Sequence, residues 1–321
     1  MLASLSRRFF LTLAHSASLK RLASRYGIRG SQGFARRFIG GETLEQAIET
    51  ALQLERRGLT HTLNSLGEHV KTIKEAEVAT VEYLAIINRL RETRLACNLS
   101  LKLTQLGIEL DRATSATNLR CILEAAERGR GFVRIDMESS PIVPATLELF
   151  EKMWHEGHRN VGVVLQAALG RSEDDVRRMN ALGARVRLVK GAYQEPERVA
   201  YQRKDDVDAA FLRLMRVLLQ DGVYPAVATH DPRMIEAACA FAREHEVSTD
   251  RFEFQMLYGV RRDLQASLHA HGYPLRIYLP FGREWFPYFM RRLAERPANV
   301  AVVIRGLLHE QVGQGHHFGG H

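Results

Sequence analysis

Tyr288, Arg291, Arg292 and Glu295 stand at spacings of three, four and seven near the C-terminal end of the sequence. Helical spacing puts all four on one face. Two adjacent guanidiniums make a fork suited to a small carboxylate, the tyrosine adds an apolar wall, and Glu295 lies one turn beyond Arg291 as a competing ion-pair partner. Taken by itself, the doublet also fits a solvated basic helix face carrying an i,i+4 ion pair. Further polar residues sit inside or just after short apolar runs: Lys102, Arg134, Asp136, Gln166, Arg187, Lys190, His230 and Gln255. An uncompensated buried charge costs several kcal/mol, roughly, so a set of this density must pair internally or meet a polar ligand. A salt-bridge layer filling a core is one outcome, and a ligand site is the other. Ser-His-Asp order with a nucleophile elbow is absent, as is a carboxylate-rich metal motif, and no metal site is expected.

The elements that must position these residues alternate along the chain. Short β-rich runs recur at Leu59–Leu66, Ala96–Leu103, Gly131–Met137, Asn160–Leu165, Arg185–Val189, Tyr224–Thr229, Arg251–Met256 and Leu275–Leu279. Helical patterns follow them at Glu68–Leu90, Ala116–Arg128, Ala145–Glu156, Glu173–Leu182, Asp205–Asp221, Pro232–Glu244, Val260–His271 and Arg283–Ala294. Regular alternation of buried strands and helices predicts parallel β-α units, and eight such units can close into a barrel without an exposed edge. A doubly wound open sheet would announce a nucleotide-binding glycine turn after its first strand, and none occurs there. Gly27, Gly30 and Gly33 precede any strand and read as a linker. In a barrel the C-terminal strand ends build the active site, so the polar residues there acquire functional readings. Strand alternation aims Arg187, Val189 and Gly191 to one side and Leu188, Lys190 and Ala192 to the other, leaving open which side works. Upstream, Glu42–Arg57 forms an amphipathic helix with Leu44, Ala47, Ile48, Ala51 and Leu54 on one face. The expected organisation is an N-terminal helical segment over 1–57 covering one end of the barrel, the barrel over 58–309 and a frayed tail over 310–321.

With 45% hydrophobic and 26% charged residues over 321 positions, the chain can bury a sizeable core. No stretch of about 18 uncharged apolar residues occurs, so membrane contact would be peripheral. The net charge of +8 is dispersed, without a polybasic block, which argues against nucleic acid as a partner. Cys97, Cys121 and Cys239 are odd in number and unpaired by spacing, which predicts a reducing interior and no disulfide framework. Met1–Arg25 is cationic and superficially like a transit peptide, but reads better as an amphipathic helix in which Phe9, Phe10 and Leu13, with Ile28 beyond it, pack on the main domain. His316, His317 and His321 could bind a metal adventitiously in a tail expected to fray.

The ordered strand-end motifs resemble those of the proline dehydrogenases, flavin-dependent barrels that oxidise proline. The pieces are Leu66-Gly-Glu68, Lys102 in Leu-Ser-Leu-Lys-Leu-Thr, Arg134-Ile-Asp136-Met-Glu, Arg187-Leu-Val-Lys-Gly-Ala-Tyr193, Ala228-Thr-His230, Phe254-Gln-Met-Leu257-Tyr-Gly259, and Tyr278-Leu-Pro-Phe-Gly through Glu295. Covering residues 41 to 309, the resemblance looks like the monofunctional bacterial branch. It implies a distorted (βα)8 barrel holding FAD, or FMN as in some relatives, and converting L-proline to Δ1-pyrroline-5-carboxylate by hydride transfer to flavin N5. It further implies a membrane quinone as electron acceptor and a cytoplasmic protein peripheral to the inner membrane, with Met1–Arg25 the natural segment for lipid contact.

Cofactor-binding positions implied by the resemblance are Asp136, Gln166, Arg187, Val189, Lys190, Gly191, Ala192, Tyr193, Thr229, His230, Gln255 and Leu257. Among them Arg187 has the clearest role, a cation that raises the flavin's tendency to accept a hydride. On the substrate side, Arg291 and Arg292 would bind the carboxylate, Tyr278, Tyr288 and Leu257 would enclose the ring, and Lys102 with Asp136 would lie near the amine. Lys102, Asp136 and Arg187 are thus the implied catalytic set. Glu295 resembles a gate residue paired with the first arginine, and Tyr193 a position tied to movement of the loop after strand five. Two other function classes stay open at this point: a lyase using Lys102 or Lys190 as a Schiff base, and a non-enzymatic basic module for nucleic acid or membrane surfaces.

Overall fold

The computed structural model describes residues 37–295, with side chains as far as residue 290. Met1–Arg25, the glycine linker and the histidine-bearing tail lie outside the described residues. Within them, eight parallel strands close into a barrel in the order β1 to β8: Thr60–Ser65, Asn98–Leu101, Phe132–Ile135, Val161–Gln166, Arg185–Val189, Ala226–Ala228, Glu253–Leu257 and Leu275–Phe281. A first helix, α1 (Leu44–Arg56), precedes β1. After the strands come α2 (Ile73–Glu92), α3 (Arg112–Glu127), α4 (Val143–His155), α5 (Ser172–Leu182), α6 (Lys204–Asp221), α7 (Pro232–Glu244), α8 (Arg262–Ala270) and α9 (Trp285–Glu295). Pairing around the barrel is uneven. β1 and β8 register at six positions, from Thr60↔Arg276 to Ser65↔Phe281, whereas β1 and β2 register at Leu63↔Leu99 alone.

Two-residue alternation sorts the strand side chains. Leu63, Leu99, Leu101, Val133, Ile135, Val161, Val163, Val186, Leu188, Phe254, Met256, Ile277 and Leu279 join one buried apolar cluster with the inner faces of the helices. Residues of opposite parity, among them Thr62, Asn64, Ser100, Arg134, Gln166, Arg187, Glu253 and Gln255, are also buried but polar. Two faces result, an apolar one toward the helices and a polar one toward the barrel axis.

Local chemistry shifts several boundaries from their sequence-based positions. The helix expected from Glu68 begins at Ile73, because Thr72 caps it by accepting from Glu75 N while Glu75 reaches back to Lys71 N at 2.6 Å. β6 is shorter than Tyr224–Thr229: Tyr224 has φ 45°, and the Thr229 hydroxyl turns the chain by accepting from Asp231 N. At the other extreme β8 runs on to Phe281, carried by its pairing with β1. Helix α1 buries Ala47, Ile48, Ala51 and Leu54 as the pattern predicts, and packs against β1 and β8 where the barrel closes.

His61 is an exception on the apolar face of β1. It is fully buried, and neither ring nitrogen makes a hydrogen bond. Burial, with Arg276 adding to it, lowers its pKa from 6.5 to about 4; the Glu55 carboxylate, 3.4 Å away, is a third exposed and too screened to reverse this. The folded protein therefore takes up this proton less readily than the unfolded chain. Its stabilising contribution is complete above the unfolded value of 6.5 and is lost as pH falls toward about 4, a loss of roughly 3 kcal/mol. Denaturant titrations of His61→Leu should show a correspondingly shallower fall of stability across that window.

Candidate active site

Polar side chains on the barrel axis form two layers. In the lower layer, Arg276 Nε contacts both carboxylate oxygens of Glu253, at 2.9 and 3.1 Å, and Arg276 Nη1 donates to His61 O. Gln255, two residues nearer the C-terminal end of β7 and so between this layer and the mouth, reaches back to donate to Glu253. Arg134 Nη1 donates to the carbonyls of Val163 and Arg185, and its guanidinium stacks 4.9 Å from the Phe132 ring. Gly162 makes room for it, since a Cβ there would stand 2.9 Å from Arg134 Nη1. This layer is the internal salt-bridge filling that the sequence allowed.

The upper layer lies at the C-terminal strand ends. Arg187 of β5 donates from Nη1 to Asp136 Oδ1 at 2.7 Å and from Nη2 to Ser100 Oγ at 2.9 Å. Tyr278 of β8 donates to the other oxygen, Asp136 Oδ2, at 2.7 Å, and its ring lies 5.3 Å from the Arg187 guanidinium. Strands β2, β3, β5 and β8 are not all neighbours, so these side chains can meet only through the interior. That answers the parity question: Arg187 faces the barrel axis, on the side that Val189 and Gly191 share by alternation. Burial, then Asp136, raises the Tyr278 phenol well above its ordinary pKa, and Tyr288 adds to the rise. Tyr278 is accordingly a neutral donor that holds the carboxylate in place.

Lys190 points the other way. Its ammonium pairs with Asp208 of α6 and with Asp231, the N-cap of α7, at 2.8 Å, and Arg233 joins both carboxylates. Burial pushes the Asp231 carboxyl upward, but hydrogen bonds from Arg233 and Lys190 outweigh it and hold the group well below the usual carboxylate range. The Lys102 ammonium pairs with Glu68 at 3.4 Å, on the strand end whose Leu101 carbonyl accepts from Asp136 N. The other strand-end residues knit the rim. Gln166 donates to Glu138 O at 2.8 Å, His230 Nε2 accepts from Leu257 N at 2.8 Å, and Val189 O accepts from Ala167 N. Gly191 has φ +117°, where a Cβ would press to 3.1 Å from Ala168 Cβ. Ala192 and Tyr193 follow on the exposed segment between β5 and α6.

Helix α9 carries the arginine doublet. Trp285 anchors it by donating to Glu42 Oε1 at 2.9 Å, Phe289 packs on Phe38, and Tyr288 is buried. The backbone is helical through Arg291, Arg292 and Glu295, so their shared face is present. Their side chains, and hence the Arg291 to Glu295 pairing, lie outside the described residues. Ser100 and Glu138 are the rim residues that the sequence reading did not single out as site residues. Ser100 shares the parity of Lys102, which was the available signal. Glu138 is buried, and its carboxylate accepts from Thr104 N and Oγ1. Among the described residues no group of three or more histidines, cysteines or carboxylates is arranged to hold a metal ion, and all three cysteines are free.

A closed parallel barrel with a charged, hydrogen-bonded cluster at its C-terminal mouth and a helix leading on from β8 defines the class: a (βα)8-barrel of the kind that houses enzyme sites. The proline dehydrogenase family profile matches residues 47–305. The chain is 41% identical to proline dehydrogenase 2 of Bacillus subtilis over 94% of its own length and 99% of that relative. It is 39% identical to the proline dehydrogenase of Deinococcus radiodurans, covering 96% of this chain and 99% of the other. Among solved structures, proline utilization A from Bdellovibrio bacteriovorus inactivated by N-propargylglycine superposes with a TM-score of 0.76 at 26% identity. That match covers 81% of this chain and 32% of the larger one. The chain belongs to the proline dehydrogenase family and is an oxidoreductase of the (βα)8-barrel type.

Proposed function

We propose that the barrel mouth binds a flavin, FAD with FMN as the alternative, and oxidises L-proline to Δ1-pyrroline-5-carboxylate, with electrons passed to a membrane quinone. The observation that carries this reading is the Asp136–Arg187–Tyr278 cluster, a fixed cation braced by two non-neighbouring strands at the mouth. A flavin in this position would supply the hydride acceptor. The mouth suits such a group. Arg187 Nε and Gln255 Oε1 are buried without a hydrogen-bond partner, leaving one cationic donor and one acceptor to be satisfied. Gly191, whose Cβ direction is filled by Ala168 and Gln166, allows the chain to turn at the rim directly after β5 with a φ that other residues rarely adopt.

The chain's own residues then divide the work. Arg187, held by Asp136 and Ser100, presents positive charge without having to reorganise as the reaction proceeds. Gln166, Val189, Gly191, Ala192, Tyr193, Thr229, His230, Gln255 and Leu257 line the rim at which the cofactor would sit, and Lys190 contributes its backbone there while its side chain anchors α6 and α7. Tyr278, Tyr288 and Leu257 enclose the substrate ring, and Arg291 and Arg292 take its carboxylate, with Glu295 beside them. Lys102, paired with Glu68, is the nearby cation that disfavours a protonated substrate amine. Neither Lys102 nor Lys190 is the isolated, desolvated amine that Schiff-base chemistry uses, which weighs against the lyase reading. No helix among the described residues is long and apolar enough to cross a membrane. Contact with a quinone pool is proposed to be peripheral, at the cytoplasmic face.

An absorbance spectrum tests the proposal directly. The purified protein should be yellow and should bleach when L-proline is added without oxygen; a colourless protein that releases no flavin on denaturation would sink the reading. Arg291→Met or Arg292→Met should each raise KM for proline about 10- to 100-fold while flavin stays bound, as expected for losing one charge-assisted bond. Unimpaired steady-state kinetics in both variants would remove the carboxylate fork from the scheme.

A further inference from the structure

The segment between β5 and α6 carries Gly191, Ala192 and Tyr193 and is exposed over much of its length. It is nevertheless held at three places. Lys190 anchors its start to Asp208 and Asp231. Its far end is fastened by Tyr201 N donating to Ala168 O and by the bridge between Leu169 and Ala200. Between these lies Glu195, whose carboxylate accepts from Ser140 N at 2.8 Å and from Ser140 Oγ. Gln202 donates to Glu195 O and closes the turn behind it.

Ser140 belongs to the connection that links β3 to α4, and that connection is the hub of the mouth. It begins with Asp136, which holds Arg187 and Tyr278, and continues through Glu138, which binds Thr104 and accepts from Gln166. A carboxylate that takes two hydrogen bonds from one residue makes a geometrically specific joint, and charge assistance makes it stronger than a neutral pair. α4 begins at Val143, and its N-cap Ile142 provides no side-chain cap, so the carboxylate also lies near a helix start that favours negative charge. We propose that Glu195 is a positioning residue for the redox site: through Ser140 it ties the Gly191–Tyr193 segment to the connection bearing Asp136, and so holds the cofactor-facing backbone of β5 against the Arg187 cluster. This rests on the flavin reading above.

Glu195→Ala, Glu195→Gln and Ser140→Ala in the full-length flavoprotein test the tether. Glutamine keeps an acceptor for Ser140 N and can donate to Ser140 Oγ, so it is the conservative rescue. In Glu195→Ala, amide hydrogen exchange over 191–199 should quicken about tenfold and the flavin dissociation constant should rise about tenfold, with KM for proline nearly unchanged. Glu195→Gln should stay close to wild type. Ser140→Ala should fall between, and adding it to Glu195→Ala should cost little more than the glutamate change alone. Unchanged exchange in Glu195→Ala would overturn the tether, and faster exchange with an unchanged flavin constant would overturn its positioning role. A wild-type protein without flavin would fail the functional reading instead, and the exchange comparison would still accept or reject the tether.

Discussion

Arg187→Met should slow the reduction of bound flavin by L-proline roughly 100- to 1000-fold, the size of effect seen when a preorganised electrostatic group is removed from a site where charge develops. Arg187 is suited to this because it is rigid: its side chain is 5% exposed, it is forked between Asp136 and Ser100, and it packs over the Tyr278 ring. Proline's affinity should change little, since its proposed carboxylate contacts come from α9. Arg187→Lys should recover only part of the rate, because a lysine keeps the charge but cannot reach Asp136 and Ser100 together in one planar fork. The substitution also leaves the Asp136 carboxylate with Tyr278 as its remaining donor, and breaking one side of a buried pair costs about 3 to 5 kcal/mol. Rates should therefore come from anaerobic stopped-flow traces on protein whose thermal melt shows it folded. Wild-type reduction kinetics in Arg187→Met would dissociate the cluster from the chemistry.

Glu253→Gln should do the reverse, sparing the chemistry and weakening the fold. Glu253 is 3% exposed, pairs with Arg276 through both oxygens and is the charge that favours the buried guanidinium of Arg134. Removing it leaves two buried cations uncompensated, at a cost of about 3 to 5 kcal/mol, or a fall in Tm on the order of 10 °C. Acid should have the same effect on the wild type. Burial pushes the Glu253 carboxyl up, but Arg276, Gln255 and Arg134 outweigh it and leave the group below its usual value of 4.5. Its contribution is thus present above about 4.5, the unfolded value, and is lost as pH falls through the lower folded pKa. Glu253→Gln should lack that part of the acid dependence. Calorimetry across pH checks both statements, and a variant melting within about 2 °C of wild type would show the lower layer to be dispensable. Flavin reduction per bound flavin should stay within a few-fold, because this layer lies beneath the mouth.

Most of the barrel was legible in the chain. Short β-rich apolar runs separated by helical patterns are a local signal, and eight of them appear as the eight strands of a closed sheet. Boundaries were less legible where a single side chain decides them, as Thr72 does for α2 and the φ of Tyr224 does for β6. Partner choice was less legible still. Nothing in the spacing of Lys102 and Asp136 says that the first pairs with Glu68 and the second with Arg187 and Tyr278. Ser140 and Glu195 are 55 residues apart, and no local pattern announces their contact.

The amino-acid sequence by itself determined the repeated strand and helix units, the polar residues at the strand ends and the helical face that carries Tyr288, Arg291, Arg292 and Glu295. Each is written in the spacing of neighbours along the chain, where backbone geometry alone relates position to direction. Only the tertiary structure decided which side of β5 faces the axis, which carboxylate meets which cation, and that the interior divides into a structural layer below and a candidate site above. Closing the barrel brings Asp136, Arg187 and Tyr278 together from three strands. In a buried, weakly screened interior, ions must take the opposite charge that packing places nearest to them, wherever it lies in the chain.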